Sequence, residues 1–187
     1  MQRKVKGFTL IELLIVLALI SVLAGILIVV IRPQEIFRRA RDAQRQADLN
    51  NVMKAIDTYL ADTNITPIWC SSNMISFSRA GSNAGTNGWP SAPAGYTVTS
   101  TDSVALNGTG WVRLPLASST LVNLSSLPQD PINNIAGGIN YVYAFVCSNT
   151  LGQYELNGIL ESNPSAMQND GGNQTGLYEI GPNKNLY

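Results

Sequence analysis

The strongest pattern in the chain is one with no alternation at all. Phe8 to Ile31 is a run of 24 residues whose single charge is Glu12. As a helix this run is about 36 Å long, enough to cross a hydrocarbon core of roughly 30 Å. It is too long for the apolar stretch of an ordinary secretory signal. After Arg32 and Pro33, from Gln34 to about Asp62, the spacing becomes helical with two apolar stripes. Ile36, Ala40, Ala43 and Ala47 fall on one side, while Leu49, Val52, Met53, Ile56, Tyr59 and Leu60 fall roughly opposite, the second stripe being expected to dock on a sheet. Ser21, Gly25 and Pro33 are the points where the long helix is expected to loosen, unless a new helix begins at the proline.

Beyond residue 65 the chain reads as strands and loops. "INYVYAFVC" alternates, placing Ile139, Tyr141, Tyr143, Phe145 and Cys147 on one face. "YELNGILES" and "LYEIG" are further strands, with weaker candidates at "ISFS" and "WVRL". The Gly/Ser/Asn/Ala/Pro stretch that ends in "NAGTNGWPSAPAGY" is expected to be a surface loop. The pattern predicts an α+β fold: a long N-terminal helix packed on a small antiparallel β-sheet head. The expected divisions are 1–7, a leader; 8–31, the apolar helix; 32–64, an amphipathic helix; and 65–187, the β-rich head.

Charge sharpens this picture. Beyond residue 65 only Arg79, Arg113 and Lys184 are basic, against six acidic residues, so the head is not a nucleic-acid surface. On the helix, Glu35 with Arg39 and Arg38 with Asp42 have the spacing of solvated i,i+4 pairs. The basic flanks of the apolar run, Arg3, Lys4 and Lys6 before it and five arginines after it, leave its orientation open. A short N-terminal tail with nothing else to translocate favours a cytoplasmic N-terminus.

Candidate chemistry is sparse. There is no histidine, and no nucleophile elbow, phosphate loop or zinc-protease helix, which argues against an enzyme and predicts neither catalytic residues nor a cofactor. Cys70 and Cys147 are too few for the usual zinc sets; beyond a membrane they would most simply pair, the alternative being two separate buried thiols. "QNDGGNQ" is rich in oxygen donors but holds one carboxylate, Asp170, so an Asx turn is expected there rather than a calcium site. "LPQDP", Leu127 to Pro131, reads as a proline-rigid turn.

Glu12 is the residue this inventory leaves unexplained, because an unpaired carboxylate in an apolar run costs several kcal/mol. A signal-peptidase cut before Gly25 would leave an apolar stub, and an uncleaved anchor gives Glu12 no task. The stretch "KGFTLIELLIVLALI" closely resembles the prepilin signature of type IV pilins and of the pseudopilins of type II secretion and DNA-uptake machines. The resemblance implies a peptidase cut after Gly7 and N-methylation of the new first residue, Phe8. That cut creates an α-ammonium on Phe8, one helical turn from Glu12. It also removes Arg3, Lys4 and Lys6 from the twelve basic side chains, leaving nine against twelve acidic ones.

The resemblance further implies that Glu12 meets the ammonium of a neighbouring subunit and sets register in a helical homopolymer. The implied partners are the prepilin peptidase, an assembly ATPase and an inner-membrane platform protein. The alanine face of the amphipathic helix is then expected to pack against neighbouring subunits, Arg38, Arg39, Arg41 and Arg45 could also meet acidic groups there, and the "LPQDP" turn resembles a loop of major pseudopilins and some pilins. The expected function is the subunit of a type IV pilus-like filament, held in the cytoplasmic membrane before assembly and at the surface or in the periplasm after it. A secretion or DNA-uptake pseudopilin is the runner-up, and a membrane-anchored binding module that never polymerises is the other alternative.

Overall fold

The computed structural model describes residues 7–187; the expectations for residues 1–6 of the leader, Arg3, Lys4 and Lys6 among them, fall outside these. The chain divides after Arg38 into two compact units. In the first, α1 (Leu10–Ile31) has 22 residues and a length of about 33 Å. Its described side chains are exposed on every side. Leu10–Ile28 is long and apolar enough to cross a membrane. Ser21 and Gly25 remain helical, the Ser21 hydroxyl donating to the Leu17 carbonyl at 2.8 Å. The break falls at Arg32, which adopts a left-handed conformation with φ 45° and caps α1. Helix α2 (Pro33–Ala61) then starts on the proline, where a missing N–H costs nothing and the fixed φ is already helical.

The second unit is built around a five-stranded sheet. Its strands are β1 (Met74–Phe77), β2 (Thr97–Ser100), β5 (Tyr143–Cys147), β6 (Tyr154–Gly158) and β7 (Tyr178–Ile180), in the order β2-β1-β5-β6-β7. All neighbours are antiparallel except β1 and β2, a parallel pair at the edge that the sequence pattern did not single out. A separate hairpin joins β3 (Asn134–Ala136) to β4 (Ile139–Tyr141). Its two-residue turn, Gly137-Gly138, has φ of 60° and 82°, the doubly positive geometry that only glycine adopts without strain. A short helix, α3 (Pro164–Gln168), precedes β7.

Both sides of the sheet are covered. On one side Leu49, Val52, Ile56 and Tyr59 of α2 form a core with Tyr143, Phe145, Cys147, Tyr154 and Leu156, joined by Trp111, Leu114 and Leu127. The helix approaches closely at Gly158, where an added Cβ would stand 3.3 Å from Leu49 Cδ1. Tyr143 and Tyr154 reach α2 through their hydroxyls, which donate to Asp48 at 2.9 Å and Asp57 at 2.6 Å. The second core holds Ile75, Phe77, Ala144 and Val146 under Trp89, Leu177, Leu186 and Tyr187.

Three local expectations need correction. "INYVYAFVC" is not one strand: Val142 interrupts it, and Ile139 and Tyr141 pack with the second core while Tyr143, Phe145 and Cys147 face α2. The chain leaves the small hairpin there and restarts its alternation in β5. "WVRL" is not a strand; Trp111, Val112 and Leu114 are buried as a loop over the first core. Nor is the Gly/Ser-rich loop simply a surface loop, because Trp89 is buried, stacks edge-on against Phe77 at 4.9 Å and donates to the Asn140 carbonyl at 2.8 Å.

Of the two cysteine readings, the structure shows the pairing: Cys70 is bonded to Cys147 across a sequence separation of 77. Replacing both with alanine is expected to lower head stability by about 2–5 kcal/mol. The check is urea unfolding of the full chain in detergent, against oxidised and reduced wild type.

Candidate assembly site and the buried arginine

Helix α1 begins in a way that gives Glu12 an immediate task. Thr9 is the N-cap in extended conformation; its Oγ1 accepts from the Glu12 amide at 3.3 Å. In return Glu12 Oε2 accepts from the Thr9 amide at 2.9 Å and from the Thr9 hydroxyl at 2.7 Å. This reciprocal capping box satisfies donors that the first helical turn would otherwise leave bare. The T-x-x-E spacing of Thr9 and Glu12 is the sequence signature of this box. Gly7 and Phe8 precede the cap, and Phe8 is 84 % exposed. Within this chain Glu12 therefore meets Thr9.

The charged centre of the head was not anticipated. Arg45 is 0 % exposed. Its Nε and Nη2 donate to the two carboxylate oxygens of Asp130 at 2.6 and 3.0 Å. Its Nη1 donates to Asp42 at 2.9 Å and to Glu161 at 2.7 Å. Arg41 adds a second fork onto Glu161, at 2.7 and 2.5 Å. Asp42 also accepts from the amides of Glu161 and Ser162 and from the Ser162 hydroxyl, each at 2.7 Å. Three carboxylates thus surround two guanidinium groups, with backbone amides meeting the remaining lone pairs. Burial pushes Glu161 towards its neutral form, but hydrogen bonds from Arg41 and Arg45 outweigh it and hold the carboxyl below its usual range.

Two expectations change as a result. Asp42 is buried in this network rather than forming a solvated helix pair, and Arg41 and Arg45 meet acids of their own chain. Positions 42, 45, 49, 52, 56 and 59 keep the 3–4 spacing of one helix face, so the docking stripe extends a full two turns beyond its apolar part. A search for apolar residues stops at Leu49. The "LPQDP" turn is the other half of the site: Leu127 is buried, the Pro128 carbonyl accepts from Trp111 Nε1 at 2.9 Å, and Asp130 grips Arg45.

Asp170 lies in the expected Asx turn, Oδ1 accepting from the Gly172 amide at 2.8 Å and Oδ2 from the Glu179 amide at 2.7 Å. Lys184 Nζ donates to the Asp170 backbone carbonyl. Among the described residues no three metal-ligating side chains of the His, Cys, Asp and Glu types gather.

Comparison with known proteins bears on the N-terminal segment first. Residues 2–28 match the Prokaryotic N-terminal methylation motif. Over 63 residues the chain is 45 % identical to the type IV wide pilus major component PilA4 of Thermus thermophilus, an alignment covering 34 % of this chain and 47 % of that protein. The chain thus spans about half the length of the curated relative it matches. No solved structure matches it. The resemblance to type IV pilins is borne out, as is the α+β architecture of a long apolar helix with a small, mainly antiparallel sheet.

Asp130→Ala is expected to destabilise the head by about 3–5 kcal/mol, because it leaves the buried Arg45 short of its bidentate partner. Arg45→Lys will not preserve the network, since a point ammonium cannot make the fork. Urea midpoints followed by near-UV circular dichroism check both.

Proposed function

We propose that this chain is the structural subunit of a type IV pilus-like filament, cut after Gly7, methylated on Phe8 and polymerised through α1. The observation that carries the reading is the apolar helix whose described side chains are all exposed and which opens on the Thr9–Glu12 capping box. Leaving its side chains in water costs on the order of tens of kcal/mol. Lipid can cover them before assembly, and a bundle of like helices can cover them afterwards. The methylation motif over residues 2–28 and the likeness to a wide-pilus major component support the same reading.

In the proposed mechanism the subunit waits in the cytoplasmic membrane with its N-terminus on the cytoplasmic side. The capping box keeps the Glu12 carboxylate at the start of the helix and prevents it from folding away along the apolar surface. On assembly that preset carboxylate accepts the Phe8 ammonium of a neighbouring subunit, and the pairing fixes axial register. Cleavage by the prepilin peptidase comes first, because the uncut leader offers an amide at Phe8 instead of a charge. An assembly ATPase and a platform protein supply the work of extraction from the bilayer. The role is structural rather than enzymatic. A pseudopilus subunit of a secretion or DNA-uptake machine would use the same helix; short periplasmic fibres in place of surface fibres would identify it.

Glu12→Ala is expected to leave membrane insertion intact and to abolish filaments, as seen by electron microscopy of sheared cells. Mass spectrometry of the fibres should show chains that begin at methylated Phe8. Ordered fibres built from Glu12→Ala, or from chains that keep the leader, would refute the proposal.

A further inference from the structure

Beside the second core sit three buried polar side chains that nothing above has used. Glu155 and Asn157 point to the same side of β6, Asn157 is paired across the sheet with Glu179 of β7, and all three are completely buried. Glu155 Oε2 accepts from the backbone amides of Leu186 at 2.9 Å and Tyr187 at 3.4 Å. Glu179 Oε2 accepts from the Gln174 amide at 2.8 Å. The other oxygen of each carboxyl group, Oε1, is buried without a partner. Because Glu155 lies two residues before Asn157 on the same face, Glu155 and Glu179 are diagonal neighbours across the β6–β7 ladder, and the charge on Glu155 is felt at Glu179.

Two buried carboxylates that close cannot both be ionised at modest cost. A proton placed between them removes one charge and satisfies an orphaned oxygen on each side. We propose that Glu155 and Glu179 share a single proton, and that this proton latches residues 183–187 onto the sheet and lets them lift as it is lost.

Asn157, whose amide nitrogen and oxygen are also buried without a partner, favours the charged form of Glu155 but brings no positive charge to the pair. From the loop after α3 comes Asp170, whose carboxylate holds the Glu179 amide and adds negative charge. From the covering segment come Lys184, whose ammonium is engaged with the Asp170 carbonyl, and Tyr187, whose hydroxyl donates to the Pro90 carbonyl at 3.0 Å. Tyr96, from the loop before β2, is the remaining titratable group that senses Glu155. Gly172 is seated against the Glu179 carboxyl so closely that a Cβ there would overlap it. Burial is the main cause that pushes Glu179 up to about 8, against the pull of the Gln174 amide and with the Glu155 charge adding to it. Burial raises Glu155 as well.

Without the proton, two facing charges can be relieved only by water, and residues 183–187 with the Trp89–Tyr187 ring contact at 5.9 Å stand in its way. The sign follows from the raised affinity of the closed form for its proton. Closure is most favourable below the ordinary glutamate value of 4.5 and loses ground as pH rises towards about 8, after which it changes no further. Across that window the opening constant grows about tenfold per pH unit.

The test is hydrogen exchange at the Leu186 and Tyr187 amides of the full chain in detergent, from pH 5 to pH 9, corrected for intrinsic exchange. The expected result is an opening constant that rises about tenfold per unit and then levels off near pH 8. Glu179→Gln should abolish the slope and keep the latch closed, since its amide donates permanently to Glu155. Glu155→Gln makes the same prediction with the roles exchanged. A flat wild-type profile, or a slope that survives in both variants, would overturn the proposal. So would protection that calcium restores at pH 9 and a chelator removes at pH 7, because a cation would then occupy the gap.

Discussion

Water cannot cover α1. Burying the apolar side chains of Leu10–Ile31 is worth on the order of tens of kcal/mol, more than the roughly 5–15 kcal/mol by which a typical domain is stable. The helix therefore calls for an apolar cover, which the proposed function finds in lipid and then in like helices, and the head has its own two cores. Glu12 is tolerable in this setting because Thr9 already answers it with two donors. An acid that merely snorkelled would have no fixed direction; this one is held at the helix entrance, where the macrodipole also favours negative charge.

Self-sufficiency of the head comes from α2. Its docking face begins in charge and ends in grease: Asp42 and Arg45 tie the "LPQDP" turn and the segment after β6 to the helix, and Leu49 through Tyr59 then pack on the sheet. The buried guanidinium adds less to net stability than its short distances suggest, since desolvation offsets much of the attraction. What it supplies is specificity. Only one placement of Asp130 and Glu161 satisfies the fork, so two long loops are held to one register on the helix.

The parts of this architecture legible in the sequence were those written in one residue class at a fixed period. The unbroken run from Phe8, the Leu49–Leu60 stripe and the alternation in "YAFVC" need only hydrophobicity to be read. What escaped was composed of mixtures. Asp42 and Arg45 continue the stripe in phase but are charged, so a hydrophobic template ends before them. Val142 looks like one more apolar residue in an alternating strand, yet it marks where the chain passes from the β3–β4 hairpin to the central sheet. Trp89 lies in a stretch whose glycines and serines advertise a loop, and it is the tertiary contact with Phe77 that buries it. Of the candidate site residues, Glu12 stood out through its isolation, whereas Thr9, which positions it, required attention to spacing instead of polarity.

The bond between Cys70 and Cys147 encloses β1, β2 and the long irregular stretches around them. Irregular backbone with exposed tips is where proteases cut most readily. A single cut between the two cysteines leaves both pieces joined through sulfur, with β5 still holding one end and the residues after α2 the other. A nicked chain would thus remain one covalent body and shed no fragment.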